Sequence, residues 1–353
     1  MSDQDLVVET VRDILTGFEP FALTAERRWD AGLWSALASA GLTGVGLPEE
    51  SGGSGGELAD AVAIVRTLAA GAAAVPVAEQ LLVAGPAVLA ADLDLPPVDE
   101  PLTFAVAPGV TASASDDGDG PGRFTLSGTA TDVPWAGIAP QVAVLASGPV
   151  GPVLALASVA GLDAGAAVNL AGEPRGSLVL DGGAASGAWL TETQALGLRA
   201  RFALARAVQL TAALEQVLAW TVQYAGERQQ FGRPLGKFQA IQMELAEMAG
   251  EVTAVTALTD AAVQELHRGG DVVLAAAAAK VRAGAAVEVV ARLAHQVHGA
   301  IGFTQEHKLH HLTRRLWSWR DEAGSELVWS RVLVAGVLAD GPDGLWPALT
   351  RVV

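Results

Sequence analysis

Three segments and a set of histidines concentrate the residue types that could do chemistry. The segment YAGERQQFGRPLGKFQAIQ, from Tyr224 onward, places Arg228 close to Phe231 and turns the chain at Gly232 and Pro234. A guanidinium offers a fixed fork of donors to a phosphate and an aromatic ring offers a flat apolar face, so the pair suits a dinucleotide. Read alone, it is also a helix-turn-helix in which Arg228 pairs with a nearby acid. In QVHGAIGFTQEHKLHHLTRRLW, Gly299 and Gly302 allow the backbone to approach a ligand. Gln296 supplies a donor and an acceptor one helical turn earlier, though a plain helix C-cap explains Gly299 equally well. In SWRDEAGSELVWSRVLV, Asp321 and Glu322 lie among Trp317, Trp319 and Trp329. An apolar setting raises a carboxylate pKa and makes a usable base, while adjacent acids also mark an ordinary helix N-terminus.

Five histidines, His295, His298, His307, His310 and His311, fall within a stretch whose one acid is Glu306. A carboxylate-rich di-metal bundle wants Glu-x-x-His on two helices. That pattern is missing, so the histidines read as surface and interface residues and no metal site is expected. The chain has no cysteine, which removes thiolate nucleophiles, disulfides and sulfur-ligated metals. Its 39 acidic and 22 basic residues leave a formal charge of −17, unfavourable for tracking a nucleic-acid backbone but compatible with one local basic pocket.

Positioning these segments requires a multi-domain chain: 353 residues, 51% hydrophobic, exceed a single small core. Residues 1–101 carry helical spacing, with Leu6, Val7, Val11 and Leu15, then Trp34, Leu37, Ala38 and Leu42. A glycine-rich loop precedes a helix starting near Glu57. Over 102–190 the runs FAVAP, RFTLSGTAT, QVAVLA and SLVLDG alternate with turn residues and predict a small antiparallel β domain, with Ser113 to Gly122 as an exposed hairpin connection. Over 191–353 long alanine and leucine faces predict helices at Leu196 to Ala225, Phe238 to His267 and Asp271 to His298, hence a bundle. The acidic start MSDQDLVVETVRD lacks the charge pattern of an export signal, and the apolar windows are too short to span a bilayer, so a cytoplasmic protein is expected.

Together the segments GLTGVGLPEESGGSGG, YAGERQQFGRPLGKFQAIQ, QVHGAIGFTQEHKL and DEAGSE resemble, in order and separation, the acyl-CoA dehydrogenase family over nearly the whole chain. The resemblance implies a mostly α fold: an N-terminal helical domain, a central antiparallel β domain and a C-terminal four-helix bundle. It implies FAD and the α,β-dehydrogenation of an acyl-CoA thioester, a glutamate taking the α proton and the flavin the β hydride. Arg228, Gln230 and Phe231 then fall where the family meets the FAD diphosphate and adenosine of a neighbouring subunit, with Gln239 nearby. Gln296, Gly299 and Ala300 match the family's Gln-x-x-Gly-Gly, with alanine in the last place, and Glu322 matches the catalytic glutamate if DEAGSE replaces Tyr-Glu-Gly-Thr-Ser-Gln. The family's other site for the base, near the start of the first bundle helix, carries Arg199, Arg201 and Arg206 and no acid.

The β domain departs furthest. The family's Thr-Glu-Pro and Gly-Ser segment is not recognisable around Phe104 to Asp117, and Thr131 to Trp135 is the nearest match to its Trp-x-Thr. These departures resemble the paired, unequal subunits of bacterial steroid side-chain-degrading relatives. They imply a homologous partner subunit in a heterotetramer, acting on a bulky acyl-CoA such as a steroid side-chain ester. The alternatives are a self-sufficient homo-oligomer with Glu322 as base, a structural partner that binds no flavin, and a relative recruited to chemistry without net oxidation.

Overall fold

The computed structural model describes residues 3–18, 29–115, 122–165, 167–304, 306–339, 341, 343 and 346. Contacts divide the chain into two compact units, Met1–Val65 with Ala73–Ala205, and Arg66–Ala72 with Arg206–Val353.

The first unit opens with α1 (Asp3–Thr16), α2 (Ala31–Ser39) and the start of α3 (Leu58–Ala70), which begins one residue after Glu57 and whose residues from Arg66 on count with the second unit. Asp30 caps α2, its Oδ1 accepting from the Leu33 amide at 3.1 Å. The short helices α4 (Val77–Glu79) and α5 (Gly85–Ala90) are joined by a π-turn at Gln80–Ala84. That turn carries a buried glutamine. Gln80 Nε2 donates to the carbonyls of Thr43 and Val98, both at 2.8 Å, and its Oε1 accepts from the Leu102 amide at 2.8 Å. One side chain thus ties the helical segment to the start of the first strand.

Five strands follow: β1 (Leu102–Ala114), β2 (Gly122–Pro134), β3 (Gln141–Ser147), β4 (Pro152–Ser158) and β5 (Arg175–Trp189). They close into a barrel in the order β1-β2-β5-β4-β3. Alternate side chains, among them Phe124, Leu126, Val142, Val144, Leu178 and Leu180, fill its interior. The sheet is antiparallel except at the seam, where β1 and β3 run parallel. This corrects the expectation of a wholly antiparallel domain, and the reason is arithmetic: strand direction cannot alternate all the way round a closed ring of five. Residues 116–121 of the expected hairpin connection lie outside the described residues.

The helix α6 (Glu192–Glu227) passes from one unit to the other, the division falling between Ala205 and Arg206. In the second unit it is followed by α7 (Gln239–His267), α8 (Val272–His298), α9 (Leu309–Asp321) and α10 (Glu326–Ala339). The alanine-rich α8 is buried around much of its circumference, as small side chains permit close packing on several sides. A hydroxyl pair joins α6 to α7, Thr211 and Thr259 lying 2.9 Å apart in the core. Among the described residues no helix is long and apolar enough to cross a membrane.

Candidate functional site

At the C-terminus of α6 the chain makes a minimal hairpin, β6 (Gln229–Gln230) and β7 (Arg233–Pro234). The Arg228 amide closes the last helical turn onto Tyr224 O at 2.8 Å, and Leu235 N donates back to Arg228 O at 2.8 Å. The two central residues, Phe231 and Gly232, both have positive φ, 50° and 78°. A two-residue turn of that kind matches strand twist, and glycine takes the second place without strain. A phenylalanine in the first place is costly. Its ring is 92% exposed, touching Phe238 edge-on at 6.2 Å, while Arg233 lies over Phe238 at 4.1 Å. The hairpin thus holds an aromatic side chain out at its tip on a strained backbone.

Arg228 and Gln230 line a cavity of about 420 Å³ together with Tyr224, Gln296, His298, Gly299 and Ala300. Two segments some 70 residues apart in sequence are brought to one wall. Gly299 ends α8 with φ 63° and ψ −145°, a backbone state reserved for glycine, and a Cβ built there would meet no atom within 4 Å. Five of the seven expected cofactor residues therefore share one cavity. Phe231 and Gln239 are not part of its lining; Phe231 stands at the hairpin tip and Gln239 opens α7 on the surface.

Two residues of this region, Tyr224 and Glu244, carried no assignment from sequence, and a third, His298, read as a surface or interface histidine, is buried in the wall of the cavity. Tyr224 stacks on His298, ring centroids 4.4 Å apart. His298 is 4% exposed; its Nδ1 lies 2.7 Å from Ala294 O and so carries the proton, leaving Nε2 of the neutral ring as an acceptor with no hydrogen-bond partner among the described residues. Burial lowers the His298 pKa, the hydrogen bond to Ala294 opposing the shift and His307 and His295 adding to it. Glu244 on α7 accepts from Gln296 Nε2 at 2.8 Å. A carboxylate only accepts, so it fixes which end of the Gln296 amide is nitrogen. A glutamate pairing with a glutamine on the next helix, 52 residues on, leaves no local pattern.

The remaining histidines pair with aromatics and with one another. His295 stacks on Phe303 at 4.3 Å, and His310 lies against His311 at 3.9 Å. Among the described residues no three metal-ligating side chains are gathered to hold an ion.

Glu322 belongs to the turn between α9 and α10, outside the cavity lining. Its surroundings correct the expectation of a carboxylate dried by tryptophans. Arg206, 1% exposed on α6, sets its Nε 2.9 Å from Glu322 Oε2, with the carboxylate side chain 17% exposed. One of the arginines at the family's alternative base position is thus the counter-ion of Glu322. Arg201 faces elsewhere, its Nε donating to Leu82 O at 2.5 Å, and burial lowers its pKa to about 10. Trp329 is buried beside the turn and donates its Nε1–H to Ala323 O at 2.7 Å.

At the end of β2, Asp132 and Trp135 have φ of 53° and 58°. The Trp135 ring is 3% exposed and its Nε1 has no hydrogen-bond partner among the described residues. The stretch nearest to the family's Trp-x-Thr therefore turns its tryptophan inward.

The family model "Acyl-CoA dehydrogenase, C-terminal domain" matches residues 197–337, and the corresponding N-terminal domain matches residues 1–91. Acyl-CoA dehydrogenase IpdE2 of Mycobacterium tuberculosis is 30% identical over 82% of this chain and 81% of its own length. Acyl-CoA dehydrogenase FadE27 of the same organism is 30% identical over 81% and 82%. Among solved structures, the ChsE4-ChsE5 complex of Mycobacterium tuberculosis superposes with a TM-score of 0.84 at 24% identity, covering 97% of this chain and 99% of that one. A Tcur3481-Tcur3483 steroid ACAD variant gives 0.83 at 29% identity, covering 96% and 98%. Helices, barrel and bundle in this order, matched over the length of these relatives, show that the chain belongs to the acyl-CoA dehydrogenase family.

Proposed function

We propose that this chain is a subunit of an FAD-dependent acyl-CoA dehydrogenase that removes the α and β hydrogens of a bulky acyl-CoA, such as a steroid side-chain thioester. We further propose that it works with a homologous, better-equipped subunit. The observation that carries the reading is the cavity that gathers Arg228, Gln230, Gln296, Gly299 and Ala300. It fits the ADP half of FAD. The guanidinium suits a diphosphate, the open glycine lets the backbone approach, and the unpartnered His298 Nε2 offers an acceptor to a ribose hydroxyl or an adenine amine. Phe231, out at the hairpin tip, would lie against the adenosine at a subunit boundary. FAD, when bound, supplies the acceptor for the β hydride. Glu322 would take the α proton, and Arg206 holds one of its oxygens.

The partnership is supported by the inward-turned Trp135 and by the two-component complexes among the relatives. A chain with diphosphate contacts but few flavin-ring contacts should bind FAD weakly alone. Purification alone and with a co-expressed homologous subunit, followed by flavin absorbance, tests this: occupancy should rise on pairing. Stoichiometric yellow protein with full turnover from this chain alone would replace the partnership with a homo-oligomer. Arg228→Ala should lower FAD occupancy of the assembly after dilution, and full retention would remove Arg228 from the site.

A further inference from the structure

The second unit contains a buried cation that neither the cavity nor the proton transfer uses. Lys280, on α8, is 0% exposed, although lysine is almost never fully buried without partners. Its Nζ donates to two backbone carbonyls, Arg320 O at 2.5 Å and Gly324 O at 2.9 Å. Those carbonyls bracket Glu322. The first belongs to the last turn of α9, where helix carbonyls lose their intrahelical donors, and the second lies inside the left-handed turn, where Ala323 and Gly324 have φ of 57° and 92°. Trp329 Nε1 takes the carbonyl between them, that of Ala323. Three successive points of the loop are therefore gripped by donors from α8 and α10, and the carboxylate itself is gripped by Arg206 from α6.

The packing around Lys280 is arranged for this. Gly284, one helical turn along α8, is where Glu326 of α10 comes in; a Cβ built on it would stand 2.6 Å from Glu326 Oε1. Glu326 Oε1 in turn accepts from Arg320 Nε at 2.6 Å. The charged groups facing Lys280 are Arg206 on α6, Asp321 at the end of α9, Glu322 in the turn and Glu326 on α10. Burial lowers its pKa to about 8, with Glu326 opposing the shift and Arg206 adding to it. A cation placed at this desolvation cost for two carbonyls has a job that an apolar side chain would not do.

We propose that Lys280 is the positioning residue of the proton-abstracting turn: by clamping the carbonyls on either side of Glu322 it sets where that carboxylate is presented. The inference rests on the reading of Glu322 as the base, and its test separates the two. A misplacement of about 1 Å in such a group costs about 10²-fold in rate. Lys280→Met and Lys280→Arg are made in the complete assembly. Hydrogen–deuterium exchange is followed in the peptide 318–327, alongside anaerobic flavin bleaching by butanoyl-CoA and by cholanoyl-CoA. Lys280→Met should speed exchange in that peptide and lower the limiting bleaching rate by about 10²-fold while the half-saturating acyl-CoA concentration and FAD content stay at parent values. Lys280→Arg, which keeps the charge with longer reach, should fall between, and it stands in if the methionine variant does not fold. Unchanged exchange in both variants would overturn the clamp. Faster exchange with an unchanged limiting bleaching rate, in an assembly that Glu322→Gln inactivates, would overturn the positioning role. Unchanged bleaching in Glu322→Gln would overturn the base assignment itself, and the exchange result would then judge the clamp on its own.

Discussion

At the level of single residues, Glu322 and Arg206 form a unit. A carboxylate held by a buried guanidinium is oriented before any ligand arrives, and the base role proposed for it depends on its being able to accept a proton. Glu322→Gln keeps the shape and removes the basicity. In the complete assembly it should slow anaerobic flavin bleaching by acyl-CoA by about 10² to 10⁴ with FAD content preserved. Equal bleaching in the variant would place the base on another chain. The same substitution leaves Arg206 facing a neutral amide at 1% exposure, so some loss of thermal stability should accompany it.

At the level of elements, two hairpins show how backbone demands and function diverge. In the barrel, Gly128 pairs with Val110 across β1 and β2 at φ 125°. A Cβ added there would stand 2.1 Å from Gly109 O, a backbone atom that cannot swing away. Gly128→Ala should therefore cost about 2–4 kcal/mol, read as a lowered midpoint in denaturant or heat; a stability equal to the parent would show that the strand pair can open at no cost. The β6–β7 hairpin carries the opposite signature. Phe231 takes a positive φ that a glycine would occupy without strain, and its ring is exposed. Phe231→Gly should leave the isolated chain as stable or slightly more so, and weaken FAD retention in the assembly.

At the level of the whole molecule, pH acts through the histidines. Burial, with His310, Arg315 and Arg314 adding to it, lowers the His311 pKa to about 4, and His295, His298 and His307 are lowered too, first by burial. The unfolded chain takes up these protons first, near the ordinary histidine value of about 6.5. Stability contributed by the neutral rings is thus intact above that pH and falls as pH drops from there towards 4. Thermal melts should show a midpoint that declines over this window, and a His311→Phe variant should show a shallower decline. A flat profile in the parent would mean the rings find charged-state partners. Because His298 lines the cavity, FAD release should accompany the acid transition.

The helical and strand elements were legible because their periods are local: α6 extends the expected helix at both ends, α7 and α8 each begin one residue later than expected and end where expected, and the hydrophobic alternation marks the strands. The short motifs around Arg228 and Gln296 were legible for the same reason, since contiguous residues carry the spacing that a ligand needs. What the sequence could not hold was which distant side chains would meet. Arg206 and Glu322 are separated by more than a hundred residues, Lys280 and Gly324 by 44, and Glu244 and Gln296 by 52. Their pairing depends on helices packing at one particular rotation, a property of the assembled core and not of any window of chain. The parallel β1–β3 seam was hidden likewise, since it exists only because five strands close on themselves. The sequence alone determined the elements and the family; only the tertiary structure decided that the turn of Glu322 meets two buried cations, Arg206 on its carboxylate and Lys280 on the carbonyls to either side, because burial removes the water that would otherwise satisfy each of those groups separately.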